Sequence, residues 1–239
     1  MKLLDLTFPT PEENLACDEA LLDGCQAGRG TELLRFWEPD RPFVVLGLSN
    51  RIGSEVRAAA CGAAGVPILR RISGGGAVLQ GPGCLNFSLV LQIPPAGPLA
   101  GIASTNAFIL DRHRSALQPL LAGPVRAEGC SDLTLAGLKF SGSAQRRKRT
   151  HMLFHGCFLL DLNLPLMEAL LPLPARRPAY RKDREHRAFL TPLPLPASAV
   201  KRALSEAWSA SGAPVRLPAK EIARLARVRY RRFDWTARF

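Results

Sequence analysis

Three consecutive glycines, Gly74-Gly75-Gly76, follow directly on the run Val66-Pro67-Ile68-Leu69-Arg70-Arg71-Ile72-Ser73. Val66 to Arg71 reads as a strand, and neither strand nor helix runs comfortably through three residues without Cβ atoms. The chain must turn there, with a backbone free to adopt positive φ and amides able to approach an anion closely. Arg70 and Arg71 add forked donors that suit phosphate or carboxylate. The segment is neither GxxxxGK[ST] nor GxGxxG, so neither standard nucleotide motif applies. A tight hairpin turn is the ordinary alternative for a bare triple glycine.

Both hydrophobic periodicities occur around this turn, which predicts mixed α and β structure. Glu12 to Gly24 carries Leu15, Ala16, Glu19 and Leu22 at helical spacing after Pro11. Strands are expected at Leu33–Trp37 and Pro42–Gly47, a helix at Val56–Ala64, a strand at Asn86–Leu91 and a helix at Asn106–Leu121. A hairpin follows, Leu133-Thr134-Leu135 turning at Ala136-Gly137 into Lys139-Phe140, then a strand from Cys157 to Leu162. From about 172 to 196, six prolines interleave with arginines and predict a loop-rich connector. Helices are expected at Ala197–Ser211 and Pro218–Arg227. Together these predict one domain over 1–239, its core at about 14–164 and its C-terminal helices at 197–239, with no accessory C-terminal domain expected.

Composition narrows the class. Of 239 residues, 47% are hydrophobic and 22% charged, which excludes a disordered chain. Thirty-two basic residues against 20 acidic ones leave a net charge of +12, an attraction toward anionic partners. Six scattered cysteines form no CxxC and no zinc-spaced Cys/His pair. The first residues, Met1-Lys2-Leu3-Leu4-Asp5, carry no apolar signal-peptide run, and no uncharged apolar stretch is long enough to span a bilayer. A cytoplasmic protein with reduced thiols and no membrane partner is the expectation.

Two further segments can carry chemistry. Gly137-Leu138-Lys139-Phe140-Ser141-Gly142-Ser143 sets one lysine between small residues, where an ammonium can reach a phosphate or an acyl carbonyl. A solvated hairpin lysine is the alternative. Phe154-His155-Gly156-Cys157 places a histidine at the entry to an apolar strand, where a hydrogen-bonded core histidine is commoner than a catalytic base.

Taken in order, RRISGGGAVLQGPGCLNFSLVL, DLTLAGLKFSGSAQRRKR and LFHGCFLLDLNL resemble the lipoate–protein ligase A family, within the biotin/lipoate A/B protein ligase superfamily. NLACDEALL and RFWEPDRPFVVLG also fit, so the resemblance covers Asn14 to about Leu164. It implies an α/β (α+β) fold of the class II synthetase/biotin–lipoate ligase type, a mixed β-sheet core flanked by helices. It implies ATP-dependent activation of lipoate or octanoate to an acyl-adenylate, with Mg²⁺ on the ATP phosphates. The acyl group would then pass to a lysine of a lipoyl domain or of a glycine-cleavage H protein. By the same resemblance Lys139 holds the adenylate phosphate and acyl carbonyl. Arg71, Ser73, Gly74, Gly75, Gly76, Asn86, Asp132, Ser141, Gly142, His155 and Gly156 line the acid and adenylate site. Val78, Phe87 and Leu89 are candidates for the acyl slot, with core packing as the alternative.

Gln80-Gly81-Pro82-Gly83 is similar to the octanoyltransferase version of the fold, and Ser131 stands where the family's ligases have asparagine. A transferase working through a cysteine thioester therefore stays open beside the ligase, as does a non-catalytic basic binder. The run Arg146-Arg147-Lys148-Arg149 reads first as a solvated loop, next as a dock for an acidic lipoyl domain. Nucleic acid comes third, because no aromatic residues interleave with the charges to stack bases.

Overall fold

The computed structural model describes residues 1–161, 163–174, 176–212 and 214–239. In chain order the elements are β1 (Lys2–Asp5), α1 (Pro11–Gln26), β2 (Leu33–Trp37), β3 (Phe43–Leu46), α2 (Ile52–Glu55), α3 (Ala58–Ala63), β4 (Ile68–Arg70), β5 (Val78–Gln80), β6 (Cys84–Gln92) and α4 (Ile102–Leu117). They continue with β7 (Val125–Glu128), β8 (Asp132–Leu135), β9 (Leu138–Arg147), β10 (His151–Leu159), α5 (Leu164–Leu170), α6 (His186–Phe189), α7 (Ala197–Ala207), α8 (Ala219–Leu225) and α9 (Phe233–Thr236). Seven strands form one sheet in the order β1-β2-β6-β10-β9-β8-β7, antiparallel except for the β1–β2 pair. Three form a second, β4-β3-β5, in which β3 and β4 run parallel.

Local chemistry explains most boundaries. α1 opens on Thr10, whose hydroxyl accepts from the Glu13 amide while donating to the Glu13 carboxylate, with Pro11 in the first turn. α4 begins at Ile102, earlier than its apolar spacing suggests, and stops at Leu117 because Pro119 follows. β10 starts at His151 instead of Cys157, since it pairs along its whole length with β6, from His151 opposite Gln92 to Leu159 opposite Cys84. The expected strand end at Leu162 lies outside the described residues. The basic run is not a free loop. Strand β9 extends through Arg147, whose guanidinium donates to Leu99 O and Ala100 O, and Lys148 pairs with Asp23. β1, β7 and α5 carry too short a periodic signal to be expected from sequence.

The large sheet has two unlike faces. Phe36, Phe87, Leu89, Leu91, Phe140, Phe154 and Phe158 bury a largely apolar face against α4 and α7, with Ser141 and Gln145 of β9 on the same side. The other face carries two polar rows, which the register defines. Trp37, Asn86, Cys157, Gly142 and Asp132 lie side by side across five strands, and Arg35, Ser88, His155 and Ala144 form the next row. Residues two apart on a strand share a face, so both rows point the same way. This face meets α1 and the small sheet. Phe87 and Leu89, candidates for an acyl slot, belong to the opposite core; the strict alternation along β6 takes them there.

Candidate active site

Between the polar rows and the small sheet lies a cleft of about 580 Å³. A β-bulge makes its cationic wall. Leu133 pairs with Ser141 but Thr134 pairs with Lys139, leaving Phe140 extra. In a regular strand residues 139 and 142 would face opposite ways; the bulge brings Lys139 and Gly142 onto the cleft side together. Phe140 turns fully into the core. Lys139 Nζ sits 2.8 Å from Asp132 Oδ1, and Tyr180 Oη donates to Asp132 Oδ2 at 2.7 Å. Burial, then the Asp132 carboxylate, push the Tyr180 phenol well above its ordinary range, so it stays a donor.

The glycine turn forms the facing wall. Gly75 has φ of +91°, and a Cβ there would stand 2.7 Å from Arg71 Nη2. Arg71 is buried and binds the turn through two nitrogens, Nε to Ser73 Oγ at 3.1 Å and Nη2 to Gly74 O at 2.6 Å and Gly76 O at 3.0 Å, while Nη1 donates to Val45 O on β3 at 3.3 Å. Burial pulls this guanidinium down to about 10, which leaves it charged at neutral pH. Gly156 is required for a different reason. A Cβ would meet Gly142 O at 2.6 Å and the Phe87 ring at 2.8 Å, so the strand pair closes only on a bare backbone.

Of the residues singled out by sequence, Arg71, Gly75, Gly76, Asn86, Asp132, Lys139, Gly142, His155 and Gly156 line one cleft. Ser73 is buried behind the turn, 2.5 Å from His155 Nε2, and Ser141 is buried with no partner for its hydroxyl. Gly74 lies on the exposed side of the turn. Asn86 donates to Gln80 Oε1 at 2.9 Å. Val78 reaches the lining, joined by Trp37, Val45, Leu79, Met167 and Leu171 as an apolar floor.

The Pro/Arg-rich segment supplies what sequence reasoning missed. It folds over the cleft and adds Arg181, His186 and Phe189 to its lining. Arg181 and His186 are 4% and 9% exposed, yet Arg181 Nη2 and His186 Nε2 have no partner. Burial pulls His186 below its ordinary value. The Arg181 nitrogen is a buried donor without an acceptor, which is rare in folded proteins and marks a place for an anion or water. Nε2 of a neutral His186 ring, whose Nδ1 donates to Pro172 O, is instead an acceptor. Alternating proline and arginine carries no periodicity, so no signal in the sequence points to these two.

Two thiols also line the cleft, Cys157 and Cys130. The Cys84 thiol and burial push Cys157 far above the ordinary thiol range. Cys130 is exposed, between β7 and β8. Among the described residues no group of three or more His, Cys, Asp or Glu is arranged to hold a metal ion, and no helix is long and apolar enough to cross a membrane.

The mixed sheet thus carries a cleft that joins cationic side chains to an apolar floor. The profile of the lipoyl protein ligase A/B catalytic domain family matches residues 10–193, and the chain belongs to this family of lipoate–protein ligases and octanoyltransferases. A protein of Aeropyrum pernix assigned as lipoate-protein ligase A is 32% identical over 66% of this chain and 57% of its own length, so the match spans little more than half of that relative. Octanoyltransferase LipM of Symbiobacterium thermophilum is 30% identical over 80% of this chain and 77% of its own. Among solved structures, a bi-partite lipoate protein ligase from Thermoplasma acidophilum, studied with its E2 lipoyl domain, superposes with a TM-score of 0.81 at 24% identity, covering 99% of this chain and 95% of that one. A lipoate-protein ligase A bound with ATP gives 0.81 at 23% identity over 99% and 98%. At these identities the likeness is one of fold.

Proposed function

We propose that the chain is an ATP-dependent lipoate–protein ligase that activates lipoate or octanoate as the acyl-adenylate and transfers it to a lysine of a lipoyl domain or glycine-cleavage H protein. One observation carries the reading. Lys139 and the unpartnered guanidinium donor of Arg181 converge on a cleft whose floor is apolar, which suits the two halves of an acyl-adenylate. In the first half-reaction a carboxylate oxygen of the acid attacks the α-phosphorus of ATP and pyrophosphate leaves. Charge grows on the non-bridging oxygens, where the Lys139 ammonium and the amides of the glycine turn act as fixed donors. Asp132, itself held by Tyr180, keeps the lysine in place. In the second half-reaction the neutral amine of the acceptor lysine attacks the acyl carbonyl; the C–N bond forms, the C–O bond to AMP breaks and the amine gives up a proton. Mg²⁺ would come with the triphosphate, held mainly by phosphate oxygens, with Glu55 and Asp132 as carboxylates on the lining. The acceptor is proposed by analogy with the E2 lipoyl domain of the T. acidophilum ligase. Arg146, exposed near the end of β9, and Arg149, exposed in the turn that follows, suit an acidic face on such a domain.

Cys130 favours a second reading, octanoyl transfer through a thioester, because its thiol is exposed on the same cleft, two residues from Asp132. The two separate in one assay of purified protein, lipoate or octanoate, ATP and apo lipoyl domain, read by mass spectrometry. The ligase gives an acylated domain only with ATP present, and Cys130→Ser retains that activity. Transfer from octanoyl carrier protein without ATP, with a thioester trapped on the parent and lost in Cys130→Ser, overturns it.

A further inference from the structure

Helix α1 carries two polar residues that the chemistry above does not use. Asn14 and Asp18, one turn apart, are 1% and 2% exposed and face the polar rows of the large sheet. Arg35, fully buried on β2, binds both. Its Nη1 donates to Asp18 Oδ1 at 2.6 Å, and its Nη2 to Asn14 Oδ1 at 2.7 Å. The remaining donors go to Leu6 O and Asn14 O, so the guanidinium is spent. Asp18 Oδ2 accepts from Ser88 Oγ at 2.7 Å and lies 3.6 Å from His155 Nδ1, within reach of its field but beyond a hydrogen bond. Burial pushes the Asp18 carboxyl up, but Arg35, His155 and Ser88 outweigh it and hold the group below its ordinary range.

The path continues across the cleft. His155 Nε2 meets Ser73 Oγ at 2.5 Å, Ser73 accepts from Arg71 Nε, and Arg71 binds the carbonyls of Gly74 and Gly76. His155 stands on the large sheet and Ser73 follows β4 of the small one, so this bond ties the two walls together. With the His155 ring neutral, one pattern of protons suits every group. A carboxylate beside Nδ1 favours a proton on that nitrogen in the neutral ring. Nε2 is then an acceptor, Ser73 gives it the hydroxyl proton, and the Ser73 oxygen is left to accept from Arg71. The opposite tautomer would turn a lone pair toward the Asp18 carboxylate and remove the acceptor for Ser73.

The geometry points to Asp18 as a positioning residue for the glycine turn, acting from α1 through His155 and Ser73 to fix where the Gly74-Gly75-Gly76 amides stand against Lys139. This rests on the cleft being the acyl-adenylate site only for its catalytic consequence; the coupling itself is read without substrate. Two readouts test it. Imidazole ¹⁵N NMR, with His155 assigned by its loss in His155→Gln, is expected to show the Nδ1-protonated tautomer in the parent and a mixture in Asp18→Asn. The backbone ¹H–¹⁵N amide resonances of residues 74–76 are expected to shift in Asp18→Asn and in Ser73→Ala. The second variant leaves the Asp18–Arg35 pair intact, so a folding defect in the first does not end the test. With ATP and acid, Ser73→Ala is expected to lower kcat at least about tenfold and leave KM for ATP within about twofold. An unchanged tautomer in folded Asp18→Asn, or parental amide resonances at 74–76 in Ser73→Ala, overturns the coupling. If both shift in a protein that forms no adenylate, the coupling stands and the ligase reading falls.

Discussion

A lysine recruited by a bulge is held by one carboxylate and little else. Lys139 contributes its ion pair with Asp132, at 25% side-chain exposure, so truncation removes a partly solvated pair worth about 1 kcal/mol or less. Its proposed role is larger, since a single fixed donor to transition-state charge is worth about 10²–10³ in rate. Lys139→Ala is therefore expected to lose at least about 10²-fold in adenylate formation while its thermal midpoint moves by a few degrees at most. Near-parental turnover in a folded variant would remove the lysine from the reaction. At Gly75 the expectation reverses, because structure and binding suffer together. A valine there must adopt φ of +91° and press its Cβ against Arg71 Nη2, a strain of about 1–3 kcal/mol. Gly75→Val is expected to bind a non-hydrolysable acyl-adenylate analogue at least about tenfold more weakly by calorimetry, and normal binding would refute a phosphate-facing turn.

Elements determine which residues meet. The connector after α5 looks like a linker by composition, but residues 179–189 lie on the cleft with Tyr180, Arg181, His186 and Phe189 in contact with it or with one another. Arg181 is a cation buried over the Phe189 ring at 4.4 Å, its Nε bound to Arg184 O, with one nitrogen unpartnered. Without ligand such a group adds little stability, because burial of a charge costs free energy that only pairing returns. If its partner is the nucleotide phosphate, Arg181→Met is expected to raise KM for ATP about tenfold, leave KM for the acid nearly unchanged and keep folding stability within about 1 kcal/mol. An equal rise in both KM values would place Arg181 elsewhere than on the nucleotide.

At the scale of the molecule, two cores share one sheet, and the core under α4 and α7 hides a titratable group. His113 is fully buried, accepting from Trp208 Nε1 at 2.9 Å, and burial, then Arg112, pull its pKa down to about 3. An unfolded histidine titrates near 6.5. Between these values the unfolded chain binds a proton that the folded one refuses, so stability is full above pH 6.5 and falls as pH drops toward 3. The slope from this group approaches about 1.4 kcal/mol per pH unit. Urea unfolding at pH 7.5 and 5.0 should show that loss, and His113→Gln should flatten it; an unaltered pH dependence in the variant would assign the loss to other groups.

Local patterns were enough for the helix over α1, the strands β2 and β3, the hairpin at Ala136-Gly137, and the turn at the three glycines. Capping, alternation and glycine content act over a few residues, and they left their mark at Thr10, along Leu33–Trp37 and at Gly74–Gly76. Which side of the sheet a residue faces depended on register between strands distant in the chain. That is why Phe87 and Leu89 looked like a ligand slot and proved to be core, and why a one-residue bulge at Phe140 decided that Lys139 and Gly142 share a wall. Arg181 and His186 carry no local signature at all; their value comes from burial beside a cleft built by strands far from them in sequence. The Asp18–His155–Ser73 path lies further still from the sequence, since it joins a helix near the start of the chain to strands in two sheets. Short-range propensity chose the pieces, and long-range register and burial chose their neighbours, because a side chain's charge and partners depend on what the folded chain brings within a few ångströms of it.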